Sequence, residues 1–201
     1  MIKSSLIDQA YFTNKKDSWE KNGAAYSIDN KKYKVIRMSQ PHGNKVKKVV
    51  SYKTMYKSDG LFTNKSGNLL TIKTADCVPI LISSKNGIGA IHAGWRGLRA
   101  KILENYFSLY ESKSTSSSLA IGPHARVCCY QVSKEFEKFF HGYVVTKHGR
   151  HFLDMTKYIE DFCENNKIIY EDLGICTICD KDYFSFRGGD NEKRQYSYIC
   201  L

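Results

Sequence analysis

The chain has 201 residues, 42% of them apolar and 13% aromatic, which suits one compact domain with its own core and excludes a disordered chain. No stretch is apolar for long enough to cross a membrane as a helix, and the opening MIKSSLIDQAYF lacks the apolar core and small-residue cleavage site of a signal peptide, so a cytoplasmic location is expected. The net charge of +11 is mostly lysine, which reads as a solvated surface or an attraction to anionic partners; the sparser arginines, whose planar forks suit phosphate or carboxylate, are the better guide to an anion site.

In chain order, residues 14–34 are rich in Lys and Asn and are expected to be irregular, with short strands. Tyr33–Met38 (YKVIRM) alternates like a strand. Leu69–Thr74 (LLTIKT), Val78–Ser83 (VPILIS) and Ile88–His92 (IGAIH) are apolar, β-branched runs, with Asn86-Gly87 as a hairpin signal between the last two. After Gly94 the period changes, and Leu98, Ile102, Leu103, Tyr106, Phe107 and Tyr110 share one helical face. Residues 112–118 (SKSTSSS) are expected to end that helix in a loop, and Leu119–Ile121 to lead into another strand. Ser133–Phe140 and Met155–Asn165 read as helices, the second with Asp154 as its N-cap. Gly174–Leu201 reads as two strands around a Gly-rich loop. Strands and helices mix without a regular βαβ alternation, and there is no repeat or long linker. The expectation is a single α+β domain over residues 1–201, with helices covering packed sheets.

Three segments each set a metal-ligating side chain beside glycine or proline: Pro41-His42-Gly43, Asp76-Cys77-Val78-Pro79 and His92-Ala93-Gly94. His42 follows a predicted strand, Cys77 falls at a break between two, and His92 ends a third. Ligands at strand ends converge on one sheet edge and are held by rigid elements. Two imidazoles and a thiolate suit zinc, and three protein ligands leave a position open, the mark of a catalytic site. The ligands are scattered along the chain, however, and a lone strand histidine is as readily a hydrogen-bonded core residue. Spacing alone leaves both readings open.

The strings TADCVPIL, AIHAGWRG, IGPHARVCCYQV and FSFRGGD, in this order after Pro41-His42-Gly43, closely resemble the multicopper polyphenol oxidase (laccase-domain) family and span Gln40 to Leu201. That resemblance implies a zinc-dependent purine nucleoside phosphorylase, acting on adenosine, inosine or methylthioadenosine, that also deaminates adenosine. It implies His42, Cys77 and His92 as the metal ligands. It also implies a layered α/β/β/α sandwich similar to the catalytic domains of cytotoxic necrotising factors. The chain departs from the family pattern at His124, where cysteine is frequent, and at Val127, where proline is. Arg187 is followed by Gly188 and Gly189 rather than by a second arginine, and the N-terminal region is short.

Phosphorolysis needs phosphate held beside a cation-like sugar carbon. Arg96, in a glycine-flanked turn that opens a predicted helix, is the candidate for that anion, with a structural ion pair as the alternative. Asp76 is a candidate general base, or else orients its neighbours. Trp95 is a candidate surface for the purine, or else core; His124 could add a ligand, a proton carrier or a substrate contact near the site, or else is a benign substitution in a turn; Arg187 is a further candidate for substrate contact, and Cys77 could be a nucleophile with His92 as its base. The expected partners are a small nucleoside and phosphate, with the protein a monomer or weak homodimer, no membrane attachment, and nucleic acid disfavoured.

Rival functions are a copper-dependent phenol oxidase, an amidase or cysteine hydrolase acting on peptidoglycan precursors, and a basic RNA-binding module. Copper would also bind such ligands tightly, yet multicopper centres draw on a larger histidine set than the six present. Seven cysteines, an odd number in a chain this size, are expected to be thiols or metal ligands rather than disulfides. Cys176-x-x-Cys179 could be half a zinc site or a redox pair. No second C-x-x-C follows and its surroundings read as a strand, so buried thiols are expected there.

Overall fold

The computed structural model describes residues 1–17, 25–111 and 116–201. Most of its regular structure is sheet. A seven-stranded sheet runs Ile2–Lys3, Ala10–Phe12, Gln195–Cys200, Asn68–Thr74, Lys31–Met38, Ala25–Ile28, with Met55–Tyr56 also paired to Lys31–Met38. A six-stranded sheet runs Ile169–Asp172, Ser117–Ile121, Val78–Ser84, Gly87–Ala93, Gly60–Thr63, Val46–Lys48. Gln131–Val132, Arg150–Leu153 and Val144–Lys147 form a third, small sheet.

Strand alternation decides what each face buries. In Val78–Ser84, Val78, Ile80 and Ile82 face the helices while Leu81 faces the larger sheet. In Gly87–Ala93, Ile91 and Ala93 face the helices while Ile88 and Ala90 face the larger sheet, against Ile36, Leu70 and Ile72. His92 therefore shares the face of Ile88 and Ala90 and ends the layer between the sheets. Apolar matter on both faces explains why these strands read as near-continuous apolar runs.

Three α-helices, α1 (Trp95–Arg99), α2 (Ile102–Tyr110) and α3 (Met155–Asn165), all pack on the outer face of the six-stranded sheet through Leu98, Ile102, Leu103, Tyr106, Met155, Ile159 and Cys163. The expected four-layer α/β/β/α order is therefore corrected. Among the described residues no helix covers the far side of the seven-stranded sheet. Tyr11, Tyr33, Val35, Leu69, Tyr198 and Cys200 cluster there instead, with Tyr11 stacked on Tyr198 at 5.1 Å.

Other sequence expectations meet local corrections. The single helix after Gly94 is two helices, because Lys101 takes a left-handed φ of 62°. The Ala100 carbonyl, freed by the break, accepts from Asn44 Nδ2 at 2.7 Å, and both apolar faces still reach the core. Ser133–Phe140 forms only a 3₁₀ turn over Lys134–Lys138, none of whose residues is fully buried. The hairpin turn falls on residues 85–86, and Gly87 opens the next strand at φ 145°, where a Cβ would lie 2.3 Å from the Thr63 carbonyl oxygen. Gly174–Leu201 contains one strand, Gln195–Cys200; the rest is turns fixed by side chains, with Phe184 N–H donating to Gln195 Oε1 at 2.8 Å and Ser185 N–H to Asp190 Oδ2 at 3.0 Å. The expected helix Met155–Asn165 forms, capped by the Asp154 carboxylate accepting from Lys157 N–H at 3.0 Å, a contact worth about 1 kcal/mol. Part of the expected loop at 112–118 and of the irregular stretch at 14–34 lies outside the described residues.

Candidate active site

The chain passes from one sheet to the other at Ala75-Asp76-Cys77, between strands Asn68–Thr74 and Val78–Ser84. Asp76 has a left-handed φ of 85°, which Asp tolerates better than most residues. Its carboxylate locks the crossing: Oδ1 accepts from the Thr177 hydroxyl at 2.8 Å and Oδ2 from Arg187 N–H at 2.7 Å, while its carbonyl accepts from Ala125 N–H at 3.0 Å. With both oxygens engaged and 5% exposure, Asp76 takes the orienting role, the second of the two open to it from sequence, rather than that of a free base.

His42 lies just past strand Lys31–Met38, at φ 66°. The approach is pinned by Gln40, whose side-chain amide pairs with the Lys73 backbone at 2.7 and 3.0 Å like one more rung of a sheet. Backbone N–H groups of His42 and Gly43 then donate to the two carboxylate oxygens of Asp59, both at 2.8 Å. Asp59 is fully buried and also accepts from His92 Nδ1 at 2.9 Å. One carboxylate thus fixes both histidine segments. An ionised carboxylate can only accept, so His92 carries its proton on Nδ1 and presents Nε2 outward.

The ligating atoms of His42, Cys77 and His92 all lie within 4.8 Å of one another. The two imidazole rings meet edge to face with centroids 4.8 Å apart. Gly94 keeps the space open, since a Cβ there would come within 3.0 Å of Cys77 Sγ and 3.6 Å of the His42 ring. Burial opposes charge on Cys77, but hydrogen bonds from His42 and His92 outweigh it and bring the thiol down to about 6. Burial likewise opposes charge on His92, yet Asp59 and Cys77 raise it to about 9. The sulfur is thus prepared as a thiolate, the form that ligates metals.

A cleft of about 530 Å³, in the range of small-molecule sites, opens on this trio. Lys73, Arg96, Arg187 and Arg194 bring four cations to its wall, and Trp95, Tyr130 and Phe186 bring aromatic surface. Arg96 lies over the Trp95 ring at 4.5 Å, and Trp95 also packs on Phe136 at 4.9 Å, so Trp95 is largely committed to the protein. Helix α1 is only five residues long and has no side-chain cap, so its start adds little dipole and any anion must rely on the side-chain cations. Arg187 lies over the Tyr130 ring at 4.9 Å and donates to the Gln131 carbonyl at 2.9 Å. Burial, with the Cys77 charge adding to it, pushes the Tyr130 phenol up to about 12.

His124 does not reach the cleft. It is fully buried, with Nδ1 at 2.8 Å from the Gly122 carbonyl and Nε2 at 2.8 Å from Thr156 Oγ1, and serves the fold rather than substrate. Asp59, Gln40, Lys73, Thr177 and Arg194 were missed from sequence. The signal for Asp59 was a lone carboxylate set before Gly60 at the head of an apolar run.

Fold and site together define a two-sheet α+β protein with a cationic cleft opening on a two-histidine, one-cysteine cluster. The chain belongs to the family described as multi-copper polyphenol oxidoreductase laccase, whose model matches residues 14–201. It is 31% identical over 176 residues to a purine nucleoside phosphorylase of Aquifex aeolicus, covering 85% of this chain and 84% of that one. It is 34% identical over 178 residues to a purine nucleoside phosphorylase of Clostridium acetobutylicum, covering 81% and 75%. Among solved structures, Bacillus licheniformis hypothetical protein YfiH superposes with a TM-score of 0.75 at 23% identity, covering 83% of this chain and 74% of that one. YlmD from Geobacillus stearothermophilus superposes with a TM-score of 0.73 at 25% identity, covering 83% and 73%. The family likeness read from the motifs is borne out, as is the mixed α+β class. No helix among the described residues is long and apolar enough to cross a membrane.

Proposed function

We propose that this chain is a zinc-dependent purine nucleoside phosphorylase, with His42, Cys77 and His92 holding the ion and the cleft cations holding phosphate. The observation that carries the reading is the meeting of these three side chains, drawn from distant segments, beside four cations in one cleft. The donor set fits zinc: two imidazoles and an acidified thiol, with His92 held in its ligating tautomer by Asp59. A bound divalent ion would supply a Lewis-acid position open to the cleft.

Arg96, Arg187, Arg194 and Lys73 would bind and orient phosphate against the sugar C1′. The phosphate oxygen forms the new C–O bond as the glycosidic C–N bond breaks, and the purine leaves with the electron pair. Tyr130, protonated at neutral pH, is an O–H donor on the cleft wall for that departing base. Exposed Phe186 is a better platform for the purine than Trp95, whose ring is already covered. The substrates proposed are adenosine, inosine and methylthioadenosine. Zinc is preferred to copper because only His42 and His92 among the described histidines enter a ligand cluster, too few for a multinuclear copper centre. Small-molecule substrates suit a cytoplasmic monomer or weak homodimer.

A second reading has its own observation. Cys77, His92 and Asp59 form a thiol–imidazole–carboxylate chain like that of a cysteine hydrolase, the activity suggested by the expected likeness to necrotising-factor domains. The second imidazole, His42, on the same sulfur favours a ligand over a free nucleophile.

Incubating purified protein with adenosine, with and without phosphate, tests the proposal. Adenine and ribose 1-phosphate, formed only with phosphate, support it. Inosine would show deamination at this cleft, a second activity expected from the resemblance. No turnover of any purine nucleoside would refute it.

A further inference from the structure

Away from the nucleoside cleft, four of the seven cysteines converge on one point. The sulfurs of Cys128, Cys129, Cys176 and Cys179 all lie within 4.8 Å of one another. Cys129 Sγ is 3.0 Å and Cys128 Sγ 3.6 Å from Cys179 Sγ. Four sulfurs at the corners of a tetrahedron around zinc, each about 2.3 Å from the ion, stand about 3.8 Å apart. The observed cluster brackets that spacing, so little movement separates it from a ligand cage. Of the expected buried thiols on a strand, Cys176 is buried but Cys179 is exposed, and residues 177–179 form a turn rather than a strand.

The backbone prepares this arrangement. The two segments are zipped together by a parallel bridge between His124 and Cys176, with His124 N–H donating to the Ile175 carbonyl at 3.2 Å and Thr177 N–H to the His124 carbonyl at 3.0 Å. A tight turn, in which both Cys129 and Tyr130 N–H groups donate to the Arg126 carbonyl at 2.9 and 2.8 Å, presents the vicinal pair. A second turn, closed by Asp180 N–H on the Cys176 carbonyl at 2.9 Å, presents Cys176 and Cys179. Cys176 itself is buried at the base of this turn, with Cys179 exposed at its far end.

We propose that Cys128, Cys129, Cys176 and Cys179 form a second zinc site, a closed tetrathiolate that clasps the two loops walling the cleft. Soft thiolates select zinc, and four protein ligands leave no open position, so the role is structural. The clasp has a mechanical purpose. Cys129 precedes Tyr130, which lines the cleft, and Cys176 precedes Thr177, which holds the Asp76 carboxylate. Residues 174–194 contain no strand and carry Arg187 and Arg194 into the same cleft. An ion here fixes that segment where regular structure does not.

Zinc counting tests this without any assay of turnover, so its outcome is independent of the phosphorylase reading. Protein prepared under reducing conditions with zinc supplied, then desalted, is analysed by elemental mass spectrometry. Two zinc ions per chain are expected, one in Cys77→Ala and one in Cys128→Ser/Cys179→Ser, whose substitutions sit at exposed positions. Cobalt loaded into Cys77→Ala, which keeps all four cysteines, should give the thiolate-to-metal charge-transfer and tetrahedral d–d bands of a four-sulfur site. A Cys77→Ala protein that holds neither zinc nor a cobalt–thiolate spectrum overturns the proposal. So does a Cys129–Cys179 disulfide that forms in preference to zinc binding under those conditions.

Discussion

The buried carboxylate of Asp59 accepts the Nδ1 proton of His92 across 2.9 Å, and through its two oxygens also holds the backbone on both sides of the His42 α-carbon. One side chain thus sets the tautomer of one proposed ligand and the position of another. Asp59→Asn should keep the fold yet lower zinc affinity roughly 10–100-fold, measured by chelator competition. An unchanged affinity would show that Asp59 merely fills space.

Metal binding should release protons in a pH-dependent number. Without metal, His92 is raised to about 9 and Cys77 lowered to about 6. Between pH 6 and 9 the sulfur is already a thiolate and the imidazole still carries its extra proton, so binding displaces one proton. Below pH 6 the thiol is also protonated, and the number rises further. Zinc affinity therefore falls as pH falls, more steeply below 6. Calorimetry in buffers of different ionisation enthalpy reads the count; a pH-independent affinity between 6 and 8 contradicts it.

Much of this was legible from the sequence because local chemistry and global role coincide. Val78–Ser84 and Gly87–Ala93 announce themselves as strands because both faces are buried, and α3 because Asp154 caps an amphipathic run. His42, Cys77 and His92 stand out because each sits close to glycine or proline at a strand end, but it is the family resemblance that implies them as one ligand set. What escaped depends on contacts between distant segments. Asp59 is a carboxylate like any other until it is found between two histidines. The left-handed Lys101 that splits one helix into two has no signal in its own residue type, only in Asn44 far upstream. The other half of the second cluster is sought in sequence as a second C-x-x-C, whereas the fold supplies the vicinal pair Cys128-Cys129.

Arg96 and Arg187 should differ as phosphate ligands. Arg96 is exposed with its guanidinium over the Trp95 face, whereas Arg187 is partly engaged with the Gln131 carbonyl. Removing a charge-assisted contact of ~1.5–3 kcal/mol corresponds to a rise of about 10–100-fold in the phosphate KM. Arg96→Ala should show that rise in full and Arg187→Ala a smaller one, with the nucleoside KM little changed for Arg96→Ala. A phosphate KM unmoved in both variants places the anion elsewhere.

His124 should make the fold acid-sensitive. Burial keeps it neutral and lowers it to about 4, from an ordinary value of 6.5. A histidine depressed in the folded state contributes stability above pH 6.5, which is lost as pH falls toward 4, by about 3 kcal/mol in all. Urea unfolding from pH 7 to pH 4.5 should show that loss, and His124→Gln should flatten the slope while lowering stability at pH 7. A wild-type slope retained in the variant would assign the acid response to other groups.

The central claim is that nucleoside phosphorolysis depends on a zinc ion held by His42, Cys77 and His92. It is tested most directly by adding zinc stepwise to metal-free protein in phosphate buffer and following adenine release from adenosine. Activity should start near zero, rise with zinc and level off, while Cys77→Ala stays inactive at every concentration. Full turnover by metal-free protein, or by Cys77→Ala, would contradict the account.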